Sequence, residues 1–266
     1  MIRAYLKRAW RVGRAYYFAT LLALFATMVI LEALFTLLIA TVNPQYIHGV
    51  NMPVGEAVAF VKAMLAMMLT GMITLFTSII SSVIVLGTIQ ADIQNGVFEM
   101  LFGNGMDDRE LAKALYAVGA SSIIPLYLVA EAIALAPLYV VAPSTLSQLL
   151  ESMLTTPLGL GLFTVGLGVY VGLSKPKYFK ISTGLGSTKN LAFTIVSLPS
   201  LIVLLVTVVV LPPLITPSST TYPTAFMWWV NASLTIASIA MAIASIPIAL
   251  RAPVNRVGLI SRGEEA

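Results

Sequence analysis

Six long apolar segments dominate the chain and restrict what it can fold into. Each is long enough for the roughly 20 residues that an α-helix needs to cross a bilayer. Hydrocarbon offers no hydrogen-bond partner to the backbone, so a segment this apolar must be helical where it spans. The segments cover residues 16–42, 57–89, 119–141, 151–173, 192–216 and 223–250. The sequence therefore predicts an all-α, polytopic membrane protein with six transmembrane helices in a single transmembrane domain, 1–266.

Charged side chains are scarce along the whole chain. Only 10% of the residues are Asp, Glu, Lys or Arg, whereas 59% are hydrophobic. A soluble globular protein carries about a quarter charged residues. No hydrophilic stretch is long enough to form a soluble domain of ordinary size. We therefore place the chain in the cell membrane.

The basic residues lie almost entirely on one side of the predicted segments. Of the 15 Lys and Arg residues, five precede the first segment, two lie in 90–118, four in 174–191 and three after 250, which leaves Lys62. This positive-inside pattern predicts that both termini are cytoplasmic. It also explains the net charge of +4 without nucleic acid, so we expect no nucleic-acid partner. The predicted outer loops are 43–56, 142–150 and 217–222.

Residues 1–15 have the spacing of an amphipathic helix that lies on the membrane surface. Tyr5 and Ala9 share one helical face, whereas Lys7 and Arg11 share another. The segment is too short and too charged to span the bilayer. The alternative interpretation is a basic flank that only sets the orientation of the first membrane helix.

A hydrophilic stretch, 90–118, separates the second and third segments. It contains five of the 11 acidic residues of the chain. Within it, Val97, Met100 and Leu101 recur at i, i+3 and i+4, which predicts a short helix with one apolar face. Such an element would leave charges and backbone groups unsatisfied in hydrocarbon, so it must lie in water or on a protein. We therefore predict a cytoplasmic docking surface.

The short helix should be followed by a break and a second helix. Gly103 and Gly105 interrupt the helical pattern. Asp107 then offers an N-cap, and Glu110 three residues later completes a capping box. A new helix should therefore begin near Asp108 and run into the third apolar segment.

The same stretch resembles the first cytoplasmic loop of ABC type 2 (ABC-2) exporter permeases. The family pattern is an acidic residue, Gly-Thr-(Leu/Phe)-Glu-x-Leu-Leu, a Pro, then Arg-Glu and a Lys. The matching residues here are Asp92, Gly96, Phe98, Glu99, Leu101, Arg109, Glu110 and Lys113. Val97 stands where Thr is usual, and Gly105 stands roughly where Pro is usual.

The resemblance implies a transport subunit rather than an enzyme. ATP and Mg would bind to a separate ATP-binding-cassette ATPase, and this chain would bind no cofactor itself. The permease would form a homodimer or a heterodimer in membrane lipid, and 1–15 would be its connecting helix. Within the coupling segment, 90–118, Phe98 or its apolar neighbours would anchor the ATPase. The implied coupling residues are Gly96, Val97, Phe98, Glu99, Met100, Leu101, Phe102, Asp107, Arg109 and Glu110.

Hydroxyl side chains form a narrow stripe on the second segment. They recur at i, i+4, i+7, i+11 and i+18, which keeps them within about 60° of one another on a helix. They are Thr70, Thr74, Thr77, Ser81 and Thr88. Two interpretations are open: small side chains that let helices pack closely, or a polar wall of a transport pathway. The resemblance favours the pathway, because the second helix of such permeases borders the central cavity.

Other residues inside the segments carry charge or lack a side chain. An ionised Glu32, Lys62 or Glu131 would be costly in hydrocarbon, so each carboxylate is either functional or a hydrogen-bonded link between helices. Lys62 either extends to the outer interface or meets Glu32. In the fourth segment, Gly161 and the Gly-x-x-x-Gly pair at 168–172 share a face that predicts contact with a neighbouring helix.

Two further functional classes stay open. An ATPase-independent carrier, channel or assembly protein would need no partner ATPase, although no duplicated half marks a self-sufficient secondary carrier. The other class is a membrane-embedded lipid-modifying enzyme. The chain has no cysteine, one histidine and no His-Glu-x-x-His motif. We therefore assign no catalytic residue and no metal ligand.

Overall fold

The computed structural model describes residues 54–178, 191–207 and 223–261, together with residues 5, 7, 8, 22, 26, 27, 29, 30, 33, 34, 37, 38 and 41. In this part of the chain the secondary structure is helical, and no strand occurs. Four of the described helices are long and apolar enough to cross a membrane. The all-α class predicted from the sequence is confirmed for the described residues. The described residues of the first apolar segment, 16–42, are also helical.

The helices of the continuous stretches follow the predicted segments closely. They are α1 (Val54–Gln94), α2 (Val97–Gly103), α3 (Asp108–Val141), α4 (Pro143–Ser174), α5 (Leu191–Leu205), α6 (Pro223–Leu250) and α7 (Arg256–Ile260). The four long apolar helices are α1, α3, α4 and α6. At 1.5 Å per residue α1 extends about 60 Å, roughly twice the thickness of the hydrocarbon core. Part of α1 therefore lies outside the apolar layer.

The connection between α3 and α4 is shorter than the sequence analysis predicted. Only Ala142 separates the two helices. Pro143 opens α4, where its missing N–H would have had no helical partner. The first turns of α4 are amphipathic, because Leu149 is buried while Gln148 is exposed. The prediction of an outer loop over 142–150 is therefore wrong for 143–150.

The central helix of the bundle is α4, which packs against α1, α3, α5 and α6. One glycine face of α4 meets α1. An ideal Cβ at Gly161 would lie 3.2 Å from Cγ2 of Thr77, and one at Gly168 would lie 3.1 Å from Cγ1 of Val85. The predicted contact of this glycine face with a neighbouring helix is confirmed at these two positions.

A second glycine face of α4, which the sequence analysis did not single out, meets α6. An ideal Cβ at Gly159 would lie 2.4 Å from the carbonyl oxygen of Ser238. One at Gly166 would lie 2.5 Å from the carbonyl oxygen of Ser245. Each contact recurs seven residues later on both helices, so α4 and α6 run parallel with their backbones in close approach. Hydrogen atoms in place of side chains make this approach feasible.

Large apolar side chains cover much of the outside of the bundle. Leu128 of α3 is 59% exposed, and Ile236 and Ile243 of α6 are 69% and 66% exposed. Leu37, one of the described residues of the first segment, is 60% exposed. An apolar surface of this extent is unfavourable in water and is typical of contact with lipid or another protein. This exposed apolar surface agrees with a membrane location.

Within the described ranges, the buried apolar residues form two clusters, one toward each end of the bundle. One cluster contains Met67, Leu138 and Leu149, near the junction of α3 and α4. The other contains Phe98 and Leu259, near α2 and α7. This second cluster supports the element that the sequence analysis identified as a docking surface.

Candidate functional site

The predicted succession of short helix, break and second helix is confirmed between α1 and α3. Gly96 precedes α2 with a φ of 65°, and Gly105 in the break has a φ of 77°. Both values lie in the left-handed region, which favours glycine because it lacks a Cβ. In the break, the Gly105 N–H donates to the Phe102 carbonyl and the Met106 N–H to the Leu101 carbonyl, both at 3.0 Å. The break is therefore a hydrogen-bonded turn.

The N-cap of α3 differs in detail from the prediction. Asp107 occupies the N-cap position in an extended conformation, as predicted, but its side chain caps no backbone N–H. Its carbonyl instead accepts the first helical hydrogen bond, from the Leu111 N–H at 3.0 Å. Asp107 and Glu110 are both exposed. The side-chain part of the capping-box prediction is therefore wrong at Asp107.

The apolar side of α2 faces the bundle. Val97, Phe98 and Leu101 are buried, and Phe98 has no exposed surface. Met100, which the spacing placed with the buried residues, is 54% exposed. The Phe98 ring packs in the protein's own core, whereas its apolar neighbour Met100 is exposed, so an anchor at Phe98 or its apolar neighbours stays a prediction. Phe102 lies half-buried beside it, with ring centroids 6.3 Å apart.

The exposed side of the α2–α3 junction is polar around one large apolar side chain. Met100 supplies the apolar surface. The other exposed members of the predicted coupling set are Glu99, Asp107, Arg109 and Glu110. Gly96 and Phe102 are half-buried, so the predicted set divides into an inner side that supports α2 and an outer side that is exposed.

The N-terminal segment is attached to the end of α1 through Asp92. The Asp92 carboxylate is 3% exposed. It accepts a hydrogen bond from the Tyr5 hydroxyl and pairs with Arg8 at 2.5 Å. Burial raises the pKa of Tyr5 well above its ordinary value, and the nearby Asp92 charge raises it further, whereas Arg8 acts in the opposite direction.

The described residues of the N-terminal segment fit one part of its prediction. Tyr5, Lys7 and Arg8 are helical, with Tyr5 buried and Lys7 exposed. The rest of 1–15 lies outside the described residues. The surface helix therefore stays a prediction beyond these positions.

The C-terminal residues attach to the same end of the bundle. Arg256 of α7 pairs with Asp108 at the start of α3, with an Nη2–Oδ1 distance of 2.7 Å. The Asn255 N–H donates to the Leu173 carbonyl at the end of α4, at 2.9 Å. Arg8, Arg256 and α2 therefore lie at one end of the helices. The contact between Arg256 and Asp108 was not predicted, because no spacing rule relates residues 148 positions apart.

The hydroxyl stripe of α1 lies largely inside the bundle. Thr70, Thr74, Thr77 and Ser81 are at most 5% exposed, and Thr88 is half-buried. Four of these hydroxyls donate hydrogen bonds to carbonyls of the preceding turn of α1, at 2.5–3.0 Å. Such bonds satisfy a hydroxyl without water or substrate. The geometry therefore favours the packing interpretation, and the pathway wall stays a prediction.

The charged residues predicted inside the membrane occupy different environments. Glu131 is 4% exposed in α3. Lys62 is half-buried in the first turns of α1. Glu32 lies outside the described residues, so a contact between Glu32 and Lys62 stays a prediction.

Comparisons of the chain with protein-family models, with curated proteins and with solved structures found no match.

Proposed function

We propose that this chain is the permease subunit of an ATP-driven exporter of the ABC-2 type. The proposal combines the residue pattern of 92–113 with the physical arrangement of that stretch. The permease would move a substrate across the membrane while a separate ATP-binding-cassette ATPase binds and hydrolyses ATP with Mg. The chain itself would carry out no catalysis.

The observation that carries this proposal is the two-sided burial of α2. Phe98 on the inner side is fully buried, while Met100 on the outer side is 54% exposed. A short helix that is fixed on a bundle by one face and presents the other is suited to transmit a movement of a bound partner. It connects directly to α1 and α3, two helices long and apolar enough to cross the membrane.

The exposed side of α2 and the start of α3 indicate the chemistry of the partner surface. Glu99, Asp107 and Glu110 are acidic and exposed, against the single exposed cation Arg109 among the predicted coupling residues. Methionine is flexible and polarisable, and it is enriched at protein interfaces. The partner would therefore present an apolar pocket for Met100 that is bordered by basic side chains. Charge complementarity of this kind sets the orientation of docking.

A six-span topology with both termini cytoplasmic is part of the proposal. It is supported by the position of Arg8 and Arg256 at the same end of the bundle as α2. A chain with both termini on one side crosses a membrane an even number of times. Lys175 and Lys177, which follow α4, add exposed positive charge near this end. A second permease copy would complete the transporter, as the resemblance implies.

Affinity purification tests the proposed function. The tagged chain, isolated in mild detergent from the organism that carries it, should retain a Walker-type ATPase in stoichiometric amount and hydrolyse ATP. The Met100→Glu variant should lose that ATPase, because the substitution would bury a charge at the proposed interface, and a central hot-spot residue contributes about 2 kcal/mol or more. The Gln148→Glu variant is the control, because it places the same charge on an exposed position of α4 far from α2. A wild-type preparation that transports its substrate without any ATPase would overturn the proposal and favour an independent carrier or channel.

A further inference from the structure

Residues 251–261, which we name the C-terminal strap, run from the end of α6 to the buried side of α2. The Asn255 N–H donates to the Leu173 carbonyl, which fixes the strap to α4. The Asn255 side chain caps α7 by accepting from the Gly258 N–H at 3.0 Å. Leu259 is 1% exposed and belongs to the same apolar cluster as Phe98. The strap is therefore packed against the docking element.

Arg256 of the strap contacts both sides of the break between α2 and α3. Its Nε atom donates to Asp108 Oδ1 at 2.8 Å, and Nη2 lies 2.7 Å from the same oxygen. Its guanidinium carbon lies 4.8 Å from the centroid of the Phe102 ring. Phe102 belongs to the last turn of α2, whereas Asp108 opens α3. One side chain thus links two helices across a turn.

The turn that Arg256 spans is exposed, and it makes backbone hydrogen bonds of its own. Gly103, Asn104 and Gly105 are all exposed, and a Cβ at either glycine would meet nothing within 4 Å. Glycine leaves the backbone more conformational freedom than other residues, so a contact that reaches from α2 to α3 adds a second constraint to the hydrogen bonds of the turn. A planar guanidinium can stack on a ring and donate to a carboxylate at the same time, which a Lys ammonium cannot do in the same way.

We propose that Arg256 is a positioning residue that locks α2 against α3, so that the C-terminal strap holds the docking face in one orientation. The identity of the docked partner rests on the proposed function, but the lock itself does not. Through Phe102 the lock reaches the buried Phe98 ring. Loss of the Arg256 contact would therefore alter the orientation of the surface around Met100.

Hydrogen exchange of the purified chain, without any partner, tests the lock. Arg256→Gln should raise the exchange of amides 97–107 about fivefold, the change expected from an exposed ion pair together with a cation–π contact. The Arg256 side chain is 49% exposed, so the variant should keep its fold, which unchanged exchange in α4 would verify. Arg251→Gln is the matched control, because it removes an equal charge from another exposed position of the strap. High salt should raise wild-type exchange toward that of Arg256→Gln, because salt screens exposed pairs.

The hydrogen-exchange experiment tests the lock, and the ATPase experiment tests the proposed function, so the two can fail independently. Unchanged exchange in Arg256→Gln, or an equal rise in Arg251→Gln, overturns the lock. In the complex, Arg256→Gln should lower stimulated ATP hydrolysis severalfold while the ATPase stays bound. Faster exchange with unchanged ATP hydrolysis overturns the positioning role and leaves the proposed function intact. A third outcome is possible, in which Arg256→Gln exchanges faster but the wild-type chain binds no ATPase. That outcome upholds the lock and overturns the proposed function.

Discussion

The guanidinium of Arg8 lies 2.5 Å from the Asp92 carboxylate, and this ion pair joins the N-terminal segment to the last turn of α1. The Asp92 side chain is nearly inaccessible, and the Tyr5 hydroxyl donates to it as well. A buried carboxylate that loses its partners is strongly destabilising, because its charge is then uncompensated. The N-terminal segment is thus held at the point where α1 leads into α2, the proposed docking element.

Alkaline pH should weaken this attachment. The folded-state pKa of Tyr5 is raised above its ordinary value near 10, mainly by burial. Its contribution to stability is therefore fully present below about pH 10 and is lost as the pH rises from there through the folded pKa. Thermal unfolding of the wild type in detergent should show a falling midpoint above about pH 10.

The Tyr5→Phe variant is the control for the pH dependence of wild-type stability. The variant lacks the ionisable hydroxyl, so its unfolding midpoint should fall less than that of the wild type between pH 8 and pH 10.5. It should also be less stable at pH 8, because the Asp92 oxygen loses a donor. Parallel pH profiles for the two proteins would show that Tyr5 does not titrate as described.

The close approach of α4 and α6 should tolerate no Cβ. Gly166→Ala should destabilise the bundle by about 1–3 kcal/mol, since the new atom would lie 2.5 Å from the Ser245 carbonyl oxygen. Gly87→Ala is the control, because nothing lies within 4 Å of a Cβ there. That control should be stabilising by about 0.5–1 kcal/mol, as alanine favours a helix. The midpoint of thermal unfolding measures the effect of each substitution. Equal shifts of the midpoint in Gly166→Ala and Gly87→Ala would contradict the described packing.

The hydroxyl stripe of α1 should behave as a packing surface. The triple replacement of Thr70, Thr74 and Thr77 by Val should cost less than about 1 kcal/mol per site and leave transport-coupled ATP hydrolysis unchanged. Thr77→Leu should cost about 1–3 kcal/mol, because Thr77 already packs closely on Gly161. Loss of substrate-stimulated hydrolysis in a stable triple variant would instead restore the pathway interpretation.

The helices were predictable from the sequence because helix formation here depends on residues that are close together in the chain. A run of apolar residues must be helical in hydrocarbon, and Gly103, Gly105 and Asp107 mark a break by their own backbone preferences. The same rules failed at 143–150, where Ser, Thr and Gln resemble a loop. Leu149 and its neighbours bury an apolar side against the bundle, and this tertiary contact extends α4 to Pro143.

The candidate site was only partly predictable because burial depends on distant neighbours. The spacing of Val97, Met100 and Leu101 correctly indicated a helix, but it could not show which side of α2 faces the core. Phe98 is buried through an apolar cluster that includes Leu259, far away in sequence. Arg256 likewise acquires its contact with Asp108 only through the fold. Long-range pairs of this kind leave no periodic signal in one sequence.

The orientation in the membrane can be measured directly, because the chain has no native cysteine. Single cysteines at Asn104 and Ser144 occupy exposed positions near opposite ends of the bundle. An impermeant thiol reagent added outside intact cells should label Ser144→Cys and not Asn104→Cys, because positive charge favours a cytoplasmic location for the α2 end. The opposite labelling pattern would reverse the topology and remove α2 from the cytoplasm.

Site-specific photo-crosslinking from position 100 tests the central claim most directly. A photoreactive amino acid at Met100, on the exposed side of α2, should form an adduct with the nucleotide-binding ATPase in native membranes. The same amino acid at Gln148, exposed at the opposite end of the bundle, should form none. An ATPase adduct from position 100 alone is the predicted result. No ATPase adduct from position 100, or equal adducts from both positions, would contradict the assignment of α2 as the docking element.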